Sequence, residues 1–216
     1  MIRRVDTRTI QRGMSPQKID SFAVKYEKKP YEEPIQILGW KMEYLPEAKT
    51  WPPIRRLNEK YTYTIPYYCK FVPTRSVRFP FGYLITTPDP EIVKNLLQHG
   101  VLVERLTQPL KLPVESFQLT ELESKAQVFQ GHHLNSVKGE YTSEEKTFPK
   151  GTLFVPTGQR LGSLAAYLLE PESDDGLLVW NFFDLHLISQ WGNRLQKVPV
   201  YRILTPVSLV KETVSY

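Results

Sequence analysis

Apolar residues recur at helical spacing through 161–169, which predicts a helix that ends near Leu169. The next residues, 171–176, are rich in Pro, Ser, Asp and Gly, and this composition favours a tight turn. A second apolar run, 177–183, contains one Trp and two Phe residues and predicts a strand that is buried on both faces. We therefore expect the helix to pack against this aromatic strand, with the turn between them at the surface.

A strand, a helix and a second strand are predicted in succession over 82–106. Asp89 is suited to cap the helix, Pro90 to occupy its first turn, and Gly100 to end it in the left-handed conformation. This order predicts a small parallel βαβ unit with a right-handed crossover. Its first turn lacks the glycine-rich sequence that binds phosphate in nucleotide-binding versions of the unit.

Short apolar segments separated by turn residues fill 111–155 at a spacing near ten residues, which predicts antiparallel strands. The predicted fold class is therefore α+β, with a small βαβ-containing region and a mainly antiparallel β sheet or sandwich. Composition divides the chain into a basic N-terminal segment or linker (1–30), an α/β region containing the βαβ unit (31–110), and a mainly β region with one helix near 161–169 (111–216).

Positive charge is concentrated in the first part of this basic chain, which carries a formal net charge of +5. Residues 1–78 contain 16 Lys/Arg and 8 Asp/Glu, whereas the remaining residues contain 12 and 15. Proteins that bind nucleic acid cluster their positive charge on one face beside stacking aromatic residues. Here the charge is spread through a segment rich in Pro and Tyr. We expect a basic surface that meets an acidic neighbouring domain, and no nucleic acid.

The chain has one cysteine, Cys69, so it cannot form an intrachain disulfide. No apolar run approaches the roughly 20 residues of a membrane-spanning helix, so no membrane segment is expected. The first residues lack the apolar stretch of a secretory signal. The compartment stays open, because a longer precursor with a signal would place the protein in a secreted or periplasmic location.

The histidines offer few candidates for a metal site. None of His99, His132, His133 and His186 is followed by Glu three residues later. His132 and His133 are the candidate ligands, but neighbouring side chains on a strand point to opposite faces and rarely share a metal ion. We expect one packed and one exposed imidazole, with no metal and no cofactor in this chain. Cys69 lies among aromatic residues and fits a buried thiol better than a nucleophile, so no catalytic residue is assigned.

Three carboxylates, Glu172, Asp174 and Asp175, lie in the predicted turn after the helix. One interpretation is a solvated turn in which an acidic side chain caps the backbone. The other is a contact with a cation or a partner protein. We favour the solvated turn, because charged side chains are mostly exposed without acting as ligands.

Several stretches, in a fixed order over most of the chain, are similar to one protein family: 72–78 (VPTRSVR), 81–85 (FGYLI), 99–106 (HGVLVERL), 130–132 (QGH), 136–141 (SVKGEY), 148–152 (FPKGT) and 168–184 (LLEPESDDGLLVWNFFD). Through them the chain resembles the C-terminal accessory region that follows the catalytic domain in a bacterial subgroup of zinc metallocarboxypeptidases of the carboxypeptidase A type. The resemblance implies peptide hydrolysis with zinc in a catalytic domain that this chain does not contain. The family's His-x-x-Glu zinc motif has no match here, so no activity is expected from this chain alone.

Two functions follow as hypotheses. In the first, the chain is a non-catalytic accessory domain that packs on a metallocarboxypeptidase catalytic domain, in cis or in trans, or helps to present peptide substrates. In the second, it is a stand-alone β-sandwich module that binds a peptide or a carbohydrate through its aromatic surface or through the region of His132 and Asp174.

Overall fold

A computed structural model of the chain describes residues 2–87, 89–189 and 194–215. The described residues form three α-helices, eleven strands and one short 3₁₀ helix, in an order that mixes the two kinds of element. In chain order these are α1 (Ile2–Met14), β1 (Ser21–Lys29), β2 (Ile35–Tyr44), β3 (Ile54–Ile65), β4 (Lys70–Arg78), β5 (Gly82–Ile85), α2 (Pro90–Gln98), β6 (Glu104–Leu106), β7 (Leu110–Ser124), β8 (Asn135–Phe148), β9 (Leu153–Pro156), α3 (Gly162–Leu169), the 3₁₀ helix (Asp184–His186), β10 (Lys197–Ile203) and β11 (Lys211–Thr213).

The chain divides into two compact units, and the larger one is built from two separate segments of the sequence. The larger unit combines Met1–Lys25 with Thr74–Tyr216, and the smaller unit is Tyr26–Pro73. The chain leaves the larger unit along β1 and returns along β4, and these two strands pair with each other. The unit boundaries therefore fall near residues 25 and 74, whereas composition placed them near residues 30 and 110.

Seven strands of the larger unit form one sheet in the order β11-β6-β9-β5-β10-β7-β8. Every neighbouring pair in this sheet is antiparallel. Strands β5 and β6 run in the same direction because each pairs antiparallel with β9, which lies between them. The predicted α+β class is confirmed, and the predicted βαβ unit is a split one in which α2 connects two strands that are not neighbours.

The predicted helices are present with the expected ends. In α2, the Asp89 carboxylate accepts a hydrogen bond from the Glu91 backbone N–H at 2.9 Å, Pro90 is the first residue, and Gly100 has a φ of 77°. Helix α3 covers most of the predicted 161–169 segment. Within the described ranges, no helix is both long enough and apolar enough to cross a membrane.

Strand β6 is shorter than the predicted strand at 101–106. The backbone N–H of Val101 donates to the carbonyl of Leu96, at the end of α2. The backbone of Leu102 bonds to the side chain of Gln159, which accepts from its N–H at 2.7 Å and donates to its carbonyl at 3.1 Å. These backbone groups are satisfied outside the sheet, so pairing begins only after them.

Apolar side chains pack on both faces of the large sheet. Successive residues of β5 alternate between the faces, with Tyr83 and Ile85 in one cluster and Leu84 in the other. The larger cluster includes residues of α2 and α3, among them Ile92 and Ala165. The second cluster consists mainly of aliphatic and aromatic residues from β5 to β10. The sheet is therefore the centre of the larger unit, with one core on each side.

The aromatic strand predicted at 177–183 is wrong. These residues form successive turns that fold back on α3: the N–H of Leu177 donates to the carbonyl of Leu168, and the N–H of Phe182 donates to that of Leu177. Asn181 has a φ of 68°, which an extended strand does not allow. Phe183 is fully buried in the larger core, so the run buries its side chains without a partner strand.

In the smaller unit, β2 and β3 form an antiparallel two-stranded sheet. Pairing runs from Ile35 opposite Ile65 to Tyr44 opposite Ile54, with an irregularity between Trp40 and Met42. The unit also contains parts of the paired strands β1 and β4.

Candidate functional site

The two adjacent histidines have separate partners. They follow a tight turn, and the His132 ring lies edge-on to Trp180 with 5.3 Å between ring centroids, while its Nδ1 is 3.2 Å from the Asn181 side-chain oxygen. Nδ1 of His133 is 2.8 Å from the carbonyl oxygen of Lys125. Among the residues that the structure describes, no three His, Cys, Asp or Glu side chains gather closely enough to hold a metal ion. The described residues therefore do not fit a zinc site, which needs at least three such ligands.

The predicted acidic turn is only partly solvated. Glu172 pairs with Arg75 across 2.6 Å, and its side chain is only 10% exposed. The backbone N–H of Asp174 donates to the carbonyl of Val24, a residue of β1. The structure thus differs at Glu172 from the solvated turn that we favoured, because β1 and β4 cover this side of the turn.

Asp175, the third carboxylate of the turn, is exposed and accepts a hydrogen bond from the indole N–H of Trp180. Trp180 is itself partly exposed and lies next to Phe129, with 6.1 Å between ring centroids. The structure therefore brings Asp175 and His132 to the same tryptophan, although sequence reasoning treated them separately. Glu172 points instead to Arg75.

A buried charged cluster that sequence reasoning missed lies on the face of the sheet that carries α3. Glu170 follows α3 and is 1% exposed. Its two carboxylate oxygens accept hydrogen bonds from the Tyr83 hydroxyl at 2.8 Å and the Tyr141 hydroxyl at 2.6 Å. The Arg202 guanidinium is 3.5 Å from the same carboxylate and also pairs with Glu115. We call these five residues the buried charge cluster.

Strand register explains why the cluster forms. Arg202 lies directly opposite Tyr83 on β5 and opposite Glu115 on β7. Directly opposed residues of antiparallel strands share one face of a sheet. The sheet therefore places Tyr83, Arg202 and Glu115 in one row. Glu170, which directly follows α3, contacts that row.

Burial dominates the titration of the cluster. It raises the pKa of the Glu170 carboxyl above its ordinary value, although Arg202 and the two tyrosine hydroxyls act in the opposite direction. Burial, followed by the charge of Glu170, holds the pKa of both Tyr83 and Tyr141 well above the ordinary tyrosine value. Since Glu170 is almost completely covered, a substrate cannot reach it without opening the core. The cluster is therefore a structural centre of the larger unit.

The smaller unit presents the most unusual surface of the chain. None of its residues, from 26 to 73, is buried. Its large apolar side chains include Trp51, which is 91% exposed, and Leu38, which is 84% exposed. The others that are exposed are Tyr26, Tyr31, Ile37, Met42, Tyr44, Ile54, Tyr61, Ile65, Tyr67, Tyr68 and Phe71. We call this set the exposed apolar surface.

Cross-strand contacts hold the hairpin beneath this surface in place. The Tyr63 hydroxyl donates to the Trp40 carbonyl at 2.9 Å and accepts from the Met42 N–H at 3.2 Å. The Arg56 guanidinium lies 4.9 Å from the centre of the Trp40 ring, and ion pairs such as Lys41 with Glu59 link the two strands further. The strands are therefore in fixed register while their apolar side chains remain in contact with solvent.

Comparison with known proteins relates part of the chain to fungal carboxypeptidases. Carboxypeptidase 2 of Trichophyton rubrum is 27% identical over 124 residues, which are 57% of this chain and 22% of that protein. Carboxypeptidase 2 of Trichophyton equinum is 31% identical over 96 residues, 44% of this chain and 18% of that protein. A probable carboxypeptidase 2 of Arthroderma benhamiae is 30% identical over 100 residues, which are 46% of this chain and 19% of that protein.

The chain therefore contains a carboxypeptidase-related region, and it spans about a fifth of the length of these relatives. The relatives are fungal, so they do not support the bacterial origin that the resemblance implied. No family model matches the chain, and no solved structure matches it significantly.

Proposed function

We propose that this chain is a non-catalytic, carboxypeptidase-related region that binds a metallocarboxypeptidase catalytic domain, in cis or in trans, through the exposed apolar surface of residues 26–73. The observation that carries the proposal is the exposure of that surface: a unit of this size has no buried residue and presents many large apolar side chains. Large exposed apolar patches mark protein interaction sites, and the number of such side chains within this one unit supports an interaction site here.

The composition of the surface supports a protein partner. Tyr and Trp are enriched in the centres of protein interfaces, and the exposed apolar surface contains six tyrosines and one tryptophan. Among the residues from 26 to 73 there are also 8 Lys/Arg and 6 Asp/Glu, which suits a polar rim around an apolar centre. The similarity to carboxypeptidases is compatible with a catalytic domain as partner, because the matched segment is a minor part of each relative.

The test is a titration of the full chain with the part of Trichophyton rubrum carboxypeptidase 2 that lies outside the matched segment, followed by calorimetry. We expect saturable binding. Leu38→Ser and Trp51→Ser are each expected to weaken it at least about tenfold, equivalent to about 1.4 kcal/mol. Both side chains are almost fully exposed, so neither substitution disturbs a core.

Leu185→Ser is the matched control, because Leu185 is 88% exposed but belongs to the larger unit. It is expected to leave the affinity unchanged. The proposal is wrong if the unsubstituted chain does not bind, or if Leu185→Ser weakens binding as much as Trp51→Ser does.

A further inference from the structure

A cavity of about 700 Å³ lies in the larger unit, between α2 and the ends of three strands. Its floor follows the register of the sheet: Ile85 on β5 lies opposite Leu153 on β9, and Leu153 lies opposite Arg105 on β6. Directly opposed residues share one face. Ile85 and Leu153 are each 1% exposed and belong to the core beneath the cavity, so Arg105 is the exposed side chain of this row. This volume lies in the range of about 300–1,000 Å³ that holds small molecules.

The apolar part of the cavity is aliphatic. Pro90, Val93 and Leu97 come from one side of α2, and Pro149 comes from the loop before β9. Among the described residues that line the cavity there is no aromatic ring. A flat aromatic ligand would therefore find no aromatic ring to stack on, whereas an alkyl chain matches the aliphatic lining in polarity.

Positive charge lies at the edge of the aliphatic part. Lys94, Arg105 and Lys150 line the cavity together with one carboxylate, that of Glu91. Glu91 pairs with Lys94 at 3.2 Å. Within the described part of the chain, Arg105 and Lys150 have no ion-pair partner. Two exposed cations that take part in no described salt bridge therefore lie beside the aliphatic cavity, and the nearest carboxylate across the sheet is Glu212 of β11, directly opposite Arg105.

We infer that this cavity binds an aliphatic carboxylate, a linear alkyl chain that ends in a single carboxylate group. The alkyl chain lies on Pro90, Val93, Leu97 and Pro149, which line the cavity and are at least partly exposed. The carboxylate binds Arg105, whose planar guanidinium matches it with two parallel hydrogen bonds. Lys150 adds a second positive charge. This site is separate from the proposed function, since it uses other residues, another unit and a small ligand.

The length of the alkyl chain provides the first test. Calorimetry of the full chain with hexanoate, octanoate and decanoate, each below its micellar concentration, measures affinity against length. Each buried methylene is expected to raise the affinity roughly fourfold. An affinity that does not change with length overturns the inference, because the alkyl chain would then lie outside the cavity.

The head group provides the second test. Decanoate is expected to bind at least about tenfold more tightly than decanol and decylammonium, since only the carboxylate pairs with the free cations. Equal affinity for decanoate and decylammonium contradicts the inference. Binding to vesicles of phosphatidylglycerol and phosphatidylcholine, without binding of free decanoate, would also overturn it, because the site would then recognise a membrane surface.

Two substitutions test where the carboxylate of the ligand binds. Arg105→Gln and Lys150→Gln are each expected to weaken decanoate binding about three- to tenfold while leaving decanol binding unchanged. Both residues are exposed, so folding is not disturbed. Lys49→Gln removes an exposed cation that does not line the cavity and is the matched control. Equal effects of all three substitutions would show that net charge alone attracts the ligand, and would overturn the assignment.

Discussion

Replacing Arg202 by Met tests the buried charge cluster directly. The substitution keeps an unbranched apolar stem but removes the guanidinium that pairs with Glu170. Two unit charges 3.5 Å apart attract by about 5 kcal/mol at an effective dielectric constant of ~20. Breaking a buried pair by removing one partner typically costs 3–5 kcal/mol. We therefore expect Arg202→Met to lower the free energy of unfolding at neutral pH by about 3–5 kcal/mol.

The loss should depend on pH in a known direction. A carboxyl whose folded pKa is raised holds its proton in the folded state at pH values where the unfolded chain has released it. Its contribution to stability is therefore largest below the unfolded pKa and is lost as the pH rises through the folded pKa. Without Arg202, the pKa of Glu170 rises further. The cost of Arg202→Met should accordingly be smaller near pH 5 than near pH 8.

Urea denaturation followed by tryptophan fluorescence at both pH values measures the cost. Arg55→Met is the matched control, because Arg55 pairs with Glu43 at 2.5 Å but its side chain is 62% exposed. An exposed pair contributes within about 1 kcal/mol. A double variant that adds Glu170→Gln to Arg202→Met should be more stable than Arg202→Met alone, since it leaves no buried carboxylate. If Arg202→Met costs as little as Arg55→Met, or costs the same at both pH values, the charge of Glu170 does not matter for folding.

Two further predictions concern packing around α3. Phe183→Ala should lower the free energy of unfolding by about 3–5 kcal/mol, because the ring is 1% exposed. Trp180→Ala should lower it by only about 1–2 kcal/mol, because that ring is partly exposed. Urea midpoints in the opposite order would contradict this packing. Gly162→Ala should destabilise the chain by roughly 1–3 kcal/mol despite the helix preference of Ala, because the new Cβ would lie 1.8 Å from the Thr157 carbonyl oxygen. Thermal unfolding beside Ser163→Ala checks the latter, and a melting temperature unchanged from the native chain would show that the backbone can move apart.

Helices were predictable here because their signals are local. The cap at Asp89, the first-turn Pro90 and the terminal Gly100 all lie within a dozen residues, and each has the role that its residue type suggests. The apolar spacing through 161–169 likewise depends only on neighbours three and four positions apart. Such helices can be predicted from the sequence because the interactions that cause the patterns act within the helix itself.

The run at 177–183 shows why an apolar pattern is ambiguous. A continuous apolar segment fits a strand buried on both faces, but it fits equally a set of turns pressed against a core. Asn181 decides between them, since it adopts a positive φ and interrupts any extended conformation. Its hydrogen bonds to the carbonyl of His133 and to Asp184 stabilise that conformation, and these contacts come from the tertiary structure.

The buried charge cluster was not predictable from the sequence. Glu170 follows two leucines and precedes Pro171, a position that gives no sign of burial. Its partners Tyr83 and Arg202 are separated from it by 87 and 32 positions, and they meet it only through the order and register of the strands. Register is decided by the whole sheet, so the site appears only when the topology is known.

The close approach of Gly13 to the segment before α3 has a consequence for synthesis on the ribosome. A Cβ on Gly13 would lie 2.1 Å from the carbonyl carbon of Thr157, so the two backbones touch. At roughly 5–20 residues per second, translation reaches Thr157 about 7–30 s after Gly13. During that interval α1 lacks the backbone of Thr157 against which it packs, although Arg12 can already pair with Asp20, and an isolated helix of 13 residues is marginal in water. The packing of α1 against the segment before α3 is therefore completed late in synthesis, only after the smaller unit and most of the sheet have left the ribosome.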